Sequence, residues 1–147
     1  MLAVVMPSAG TALAGELEGP GRFCGYSLII DLIPGERIET LQGGIHGGSF
    51  RWRGHFGVLD VYGIGWAKVS GERRAAKHTG KGYLLFDQGR AEDGHTVAIS
   101  NGRHAAAYFS SPRRLTRAQL AAIDRVGLFE EGEEPRGCKL RTMFSWE

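Results

Sequence analysis

The side chains with the clearest capacity for acid–base or metal chemistry are those of the histidines His46, His55, His78, His95 and His104. No two of them show the HxH, HxxH or HExxH spacing that places two imidazoles on one metal ion. The sequence therefore predicts no metal site and no cofactor. His46 stands out among them, because the glycines of the Gly43–Gly48 run leave its imidazole open to a ligand.

Asp60 is the carboxylate with the most distinctive surroundings, because strand alternation places it on the same face as several bulky residues. Burial among such residues raises the pKa of a carboxyl group unless an arginine pairs with it, and Arg51 or Arg53 on the preceding predicted strand could do so. Two interpretations stay open. Asp60 forms a structural pair with an arginine, or it joins His46 and His95 as an acid–base group of a small hydrolase.

The motifs of nucleotide binding and of nucleophilic catalysis are absent from the sequence. The Gly43–Gly48 run fits neither the GxxxxGK[ST] phosphate loop nor the GxGxxG dinucleotide pattern, and a predicted strand follows it. We interpret the run as a wide hairpin or bulge. The sequence contains no GxSxG or SxxK motif, and no serine is placed beside an activating histidine.

Positive charge is concentrated at the start of a predicted helix, where Arg113, Arg114 and Arg117 face the positive end of the helix dipole. An anion bound by these arginines and by the free amides of the helix start would turn that repulsion into attraction. The acidic residues after the helix, Glu130 to Glu134, likewise have the unfavourable sign for the helix end.

A second basic segment connects the predicted strands that end near Val69 and begin at Gly82. Its basic residues are Lys68, Arg73, Arg74, Lys77, His78 and Lys81. Long connections between strands are often functional, so Arg73, Arg74 and Lys77 are further candidate contacts for an anionic partner. The alternative is a solvated loop.

The elements that must position these residues are mainly short strands. Glycine accounts for 23 of the 147 residues, roughly twice the usual share of about 7%, which is typical of a chain with many tight turns. The predicted strands are 24–33, 37–42, 49–53, 56–63, 65–69, 82–87, 96–100, 105–110 and a final one at 138–146. Pro34-Gly35 predicts a type II turn, and Asn101-Gly102 predicts a hairpin turn with positive φ at both residues.

One helix is predicted over 117–126. Thr116 and Gln119 form a capping box at its start, and Leu115 and Leu120 occupy the staple positions. Gly127 suits a left-handed cap at its end. The predicted fold class is mainly β (α+β): a small antiparallel barrel or curved sheet of about seven to nine strands with one capped helix near the C-terminus.

In an oxidising compartment the two cysteines, Cys24 and Cys138, predict one disulfide that ties the first strand to the last. Residues 1–14 are uncharged and end in the small-x-small pattern Ala12-Leu13-Ala14, although a basic segment is missing before them. We interpret 1–14 as a signal-peptide remnant, too short to span a membrane, and 15–147 as a single β-rich domain. The expected location is the periplasm or the extracellular medium.

Part of the chain resembles the secreted thermonuclease-type nucleases, which are OB-fold barrels. The resemblance rests on the order of Gly94–Ala98, Asn101-Gly102, the helix, Gly127–Phe129 and Pro135, and on Val61–Gly65. His95 stands where that family has an arginine, and Gly65, Ala67 and Lys68 stand where it has acids. The resemblance therefore implies an OB-like barrel without the nuclease site.

The function predicted from these features is that of an exported, non-enzymatic binding or inhibitor-type module that recognises an anionic partner, either a protein or an envelope ligand. The formal net charge of +2 gives no strong signal for nucleic acid. The alternative is a small hydrolase on a phosphorylated or polyanionic substrate, related to the degenerate nuclease fold.

Overall fold

A computed structural model describes residues 15–43, 47–65, 77–130, 132–138 and 144–146, with only the backbone at 77–78 and 144–146. Its strands are β1 (Glu16–Glu18), β2 (Gly21–Gly25), β3 (Leu28–Leu32), β4 (Arg37–Gly43), β5 (Gly47–Gly54), β6 (Gly57–Ile64), β7 (Lys77–His78), β8 (Leu84–Ala91), β9 (Gly94–Ser100), β10 (Ala106–Ser111), β11 (Gly127–Leu128) and β12 (Phe144–Trp146). The helix α1 spans Arg117–Asp124. The mainly β class with one capped helix near the C-terminus is confirmed.

The strands form two antiparallel sheets. Sheet A has eight strands in the order β1-β4-β5-β6-β10-β9-β8-β7, and sheet B has four in the order β11-β3-β2-β12. In the described part of the chain, β1 and β7 are the edge strands of sheet A. Sheet A therefore differs from the five-stranded barrel that the nuclease resemblance implies.

One large apolar cluster joins both sheets to α1. Phe23 from sheet B, Phe50 and Trp52 from sheet A and Ile123 from α1 are all buried within it. A helix that contributes to the same core as β8 and β9 is held at a fixed place over the sheet, and this placement creates the candidate site.

The predicted strand 24–33 is wrong, because the chain turns back between β2 and β3. Tyr26 and Ser27 both have positive φ, 54° and 67°, which is the backbone of a tight two-residue hairpin. Such turns normally use Asn or Gly. The local sequence therefore contains no signal for this one, and burial of the Tyr26 ring stabilises it instead.

The two predicted turns have different outcomes. At Pro34-Gly35 the prediction is confirmed, since Gly35 has φ +89° and the Glu36 amide donates to the Ile33 carbonyl at 3.0 Å. At Asn101-Gly102 only the glycine has positive φ. The Asn101 side chain instead accepts from the amides of Arg103 and Ala105, which makes a longer loop than the predicted two-residue turn.

The start of α1 is as predicted and its end is not. Thr116 is the N-cap, and both hydrogen bonds of the capping box with Gln119 are present. The helix ends at Asp124 with Arg125 as a right-handed C-cap, so the left-handed cap at Gly127 is wrong. Gly127 belongs to β11, where pairing with β3 determines its backbone conformation.

The disulfide between Cys24 and Cys138 is confirmed, with 5.9 Å between the Cα atoms. It joins β2 to the segment that precedes β12. In the described residues no helix has both the length and the apolar character needed to cross a membrane. The proposed remnant at 1–14 and the predicted strand at 65–69, apart from Gly65, lie outside the described residues.

Candidate functional site: a groove between the helix and the sheet

A cavity of about 600 Å³ lies between α1 and strands β8 and β9, and we call it the α1 groove. Its lining residues are Thr79, Leu85, Asp87, His95, Val97, Arg114, Leu115, Arg117, Leu120 and Asp124. The volume lies within the range of small-molecule sites, which is about 300–1,000 Å³.

The floor of the groove follows from strand alternation. Leu85 and Asp87 lie two residues apart on β8, and His95 and Val97 lie two residues apart on β9, so each pair faces the same side of the sheet. Leu85 and Val97 supply apolar surface. Asp87 and His95 supply the polar end of the floor.

His95 is buried, and both of its ring nitrogens are engaged. Its Nδ1 accepts a hydrogen bond from the Leu115 amide at 3.0 Å, so the proton of the neutral ring is on Nε2, which lies 3.0 Å from Asp87 Oδ1. A neutral imidazole has one donor and one acceptor, and both are used here. His95 can accept a proton from a substrate only by losing its bond to Leu115, so the geometry suits a residue that positions the start of α1 rather than a general base.

The wall of the groove comes from one face of α1. Arg117, Leu120 and Asp124 are spaced i, i+3 and i+7, which places them on the same side of a helix. Leu120 is 37% exposed, so it presents an apolar surface at the opening of the groove instead of packing fully into the core. Arg114 reaches the groove from the segment just before the helix.

Three hydrogen bonds hold α1 over the sheet. Besides the Leu115–His95 bond at its start, Gln119 Nε2 donates to the Val58 carbonyl at 3.2 Å, and Asp124 Oδ1 accepts from the Gly80 amide at 3.0 Å. The groove is therefore bounded by elements whose relative positions are fixed at the start, middle and end of the helix.

An ion pair with a buried carboxylate fixes the position just after the helix. Glu36 is 3% exposed, and its carboxylate forms an ion pair with the Arg125 guanidinium and accepts from Trp52 Nε1 at 3.3 Å. Arg125 also donates to the Asp31 carbonyl at 3.0 Å. Glu36 and Arg125 are 89 residues apart in sequence, and no local motif indicates their contact.

The arginines of the groove are exposed and have no acidic partner in the described part of the chain. Among the residues that the structure describes, neither Arg114 nor Arg117 has a carboxylate within ion-pair distance, and the same is true of Arg113, which does not line the groove. Three amides near the helix start have partners within the protein. Those of Leu115, Thr116 and Gln119 all donate within the protein, so these three amides are not available to an anion.

The other proposed acid–base groups do not converge on this groove. Asp60 pairs with Arg51, whose Nε lies 2.9 Å from Asp60 Oδ1, and this contact raises the pKa of the Arg51 guanidinium. Asp60, Ser110 and Thr96 are successive cross-strand partners on one face of sheet A. Because His95 is the neighbour of Thr96 along β9, it projects from the opposite face. His46 lies outside the described residues.

Of the proposed contacts on the second basic segment, only Lys77 falls within the described residues. Arg73 and Arg74 lie outside the described residues, and Lys77 is described only as a backbone position of β7 paired with Leu85. Lys81, in the same connection, donates from Nζ to the Arg125 carbonyl at 2.8 Å. This lysine therefore contacts the C-cap of α1.

Glu130, the first acidic residue after α1, is paired with the loop between β9 and β10. Glu130 accepts from the Asn101 side chain and the His104 amide, both at 3.3 Å, and its Oε2 lies 3.1 Å from Arg103. Its charge therefore stabilises the β9–β10 connection, which removes part of the apparent charge conflict at the helix end.

Gly48, at the end of the glycine run, packs against Tyr26. A Cβ atom at Gly48 would lie 1.9 Å from Cε1 of the Tyr26 ring, and one at Gly63, its partner across β5 and β6, would lie 2.1 Å from the Tyr26 carbonyl oxygen. Gly48 is therefore needed to admit this aromatic ring. Burial also raises the pKa of the Tyr26 hydroxyl to about 12.

Within the described ranges, no group of three or more His, Cys, Asp or Glu residues could hold a metal ion. No family model, no curated protein and no solved structure matches the chain. The interpretation of the groove therefore depends on its own geometry and charge.

Proposed function

We propose that the protein is an exported, non-enzymatic binding or inhibitor-type module that recognises an anionic partner in the α1 groove. The observation that carries the proposal is the position of Arg114 and Arg117, which line a cavity of about 600 Å³ without a carboxylate partner in the described residues. Export is supported by the Cys24–Cys138 disulfide, since such bonds persist mainly in oxidising compartments.

Binding is favoured over hydrolysis by the surroundings of His95. Both ring nitrogens are engaged, and Asp60 projects from the other face of the sheet. A general base needs a free acceptor within reach of the proton that it removes. The groove instead offers what a binding site needs, namely an apolar floor, cationic groups at one end and a fixed backbone.

The test uses anilinonaphthalene sulfonate, a fluorescent dye that combines an apolar ring system with one anionic group. We expect Arg114→Gln and Arg117→Gln each to weaken dye binding by about two- to fivefold, which corresponds to the loss of about 0.5–1 kcal/mol from one exposed charge contact. Arg113→Gln is the matched control, because it removes the same charge from an adjacent position that does not line the groove.

Added salt should weaken binding to the unmodified protein and have less effect on the two groove variants. Circular dichroism of all three variants verifies that the fold is retained. Equal dye affinity in the groove variants and in Arg113→Gln would contradict the proposal, because the dye would then bind elsewhere or respond only to net charge.

A further inference from the structure

The two ends of the α1 groove differ in charge, because the helix-start end has two arginines and one carboxylate, that of Asp87 beside His95, whereas the other end has Asp124. Arg114 and Arg117 lie at the start of α1, and Asp124 lies at its end on the same helix face. Asp124 is seven positions after Arg117, a distance of about 10 Å along the axis at roughly 1.5 Å per residue. Leu120 lies between them, and the floor below it is formed by Leu85 and Val97.

Asp124 has capacity for a further partner. Its Oδ1 accepts from the Gly80 amide, whereas Oδ2 has no hydrogen bond and no cation within ion-pair distance among the residues that the structure describes. Asp87, the other carboxylate of the groove, differs because its Oδ1 already contacts His95 and the Gly89 amide. Thr79 beside Asp124 adds a hydroxyl group.

We propose that the groove binds a small linear ligand with an anionic group at one end, an ammonium group at the other and an apolar chain between them. The anionic group contacts Arg114 and Arg117, the chain lies on Leu120 and the strand floor, and the ammonium group pairs with Asp124. This inference rests on the proposed function and adds the length and the second charge of the ligand.

The probes are chosen by the distance between their charged groups. Extended chains advance about 3.5 Å per three bonds, so the eight bonds between the charged groups of ω-aminooctanoate span roughly 10 Å. The four bonds of γ-aminobutyrate span roughly 5 Å, about half of that axial separation. Octanoate has the anionic group and the chain without the ammonium group.

The experiment measures affinity for these three probes by NMR titration of the full chain with its disulfide intact. We expect ω-aminooctanoate to bind about two- to fivefold more tightly than octanoate, the gain of one exposed ion pair. We expect γ-aminobutyrate to bind more weakly than either. In Asp124→Asn the preference for ω-aminooctanoate over octanoate should disappear while the affinity for octanoate is retained or rises.

Asp124→Asn is a clean perturbation, because the asparagine Oδ1 can still accept from the Gly80 amide. Asp93→Asn, which removes an exposed carboxylate outside the groove, is its matched control and should keep the preference. Equal affinity for octanoate and ω-aminooctanoate in the unmodified protein would overturn the bipolar ligand while leaving the anion site intact. Failure of octanoate to bind, or binding unaffected by Arg114→Gln, would overturn the proposed function itself.

Discussion

Replacement of Gly48 by alanine should strongly destabilise the protein, because the new methyl group would occupy the space of the Tyr26 ring. The added Cβ would lie 1.9, 2.4 and 2.5 Å from three ring carbons. The ring is fully buried and stacks on Phe50 at 6.1 Å, so it has little freedom to move. Overpacking of this kind costs about 1–3 kcal/mol, and we expect a value near the upper limit.

The assay is denaturant unfolding with the disulfide intact, and Gly127→Ala is the matched control. A Cβ at Gly127 would lie no closer than 3.4 Å to Ile29, an ordinary contact, and Gly127 does not have positive φ. That change should be neutral or stabilise by up to about 1 kcal/mol, because alanine restricts the unfolded chain. Equal stability of the Gly48→Ala and Gly127→Ala variants would refute the packing explanation for Gly48.

Three further predictions concern the helix start and the buried tyrosine. His95→Ala should reduce the free energy of unfolding by about 1–3 kcal/mol, since the Leu115 amide loses its acceptor; exposed His55→Ala is the control, and equal melting temperatures would argue against the contact. Thr116→Ala should cost about 0.5–2 kcal/mol through loss of the N-cap, and an unchanged denaturant midpoint would contradict it. Because the pKa of Tyr26 is raised to about 12, its phenol ionises in the unfolded chain before it ionises in the folded protein. The contribution of Tyr26 to the free energy of unfolding is therefore fully present below about pH 10 and is lost as the pH rises from about 10 to about 12. Tyr26→Phe should remove that part of the decline, which unfolding measured at several alkaline pH values would reveal.

The features that could be predicted from the sequence are those determined by neighbouring residues. The capping box needs only Thr116 and Gln119, and the Pro34-Gly35 turn needs only its own backbone preferences. The disulfide followed from the presence of only two cysteines in the chain.

The features that could not be predicted depend on distant contacts. Tyr26 adopts positive φ because its ring fits against Gly48 on another strand, and no local signal marks that turn. The role of His95 depends on the Leu115 amide, 20 residues away. The arginine cluster was recognisable, but the apolar floor and Asp124, which make the groove bipolar, became apparent only after the helix was placed over β8 and β9.

The most direct test of the central claim is a map of amide chemical-shift changes as octanoate is added to isotopically labelled protein. The groove predicts that the largest changes occur in the 114–120 segment of the helix start and at Leu85 and Val97 on the strand floor, and that Arg114→Gln reduces them together. Changes centred on the outer face of sheet A, around Asp60 and Tyr62, or no saturable change at all, would contradict an anion-binding site in the α1 groove.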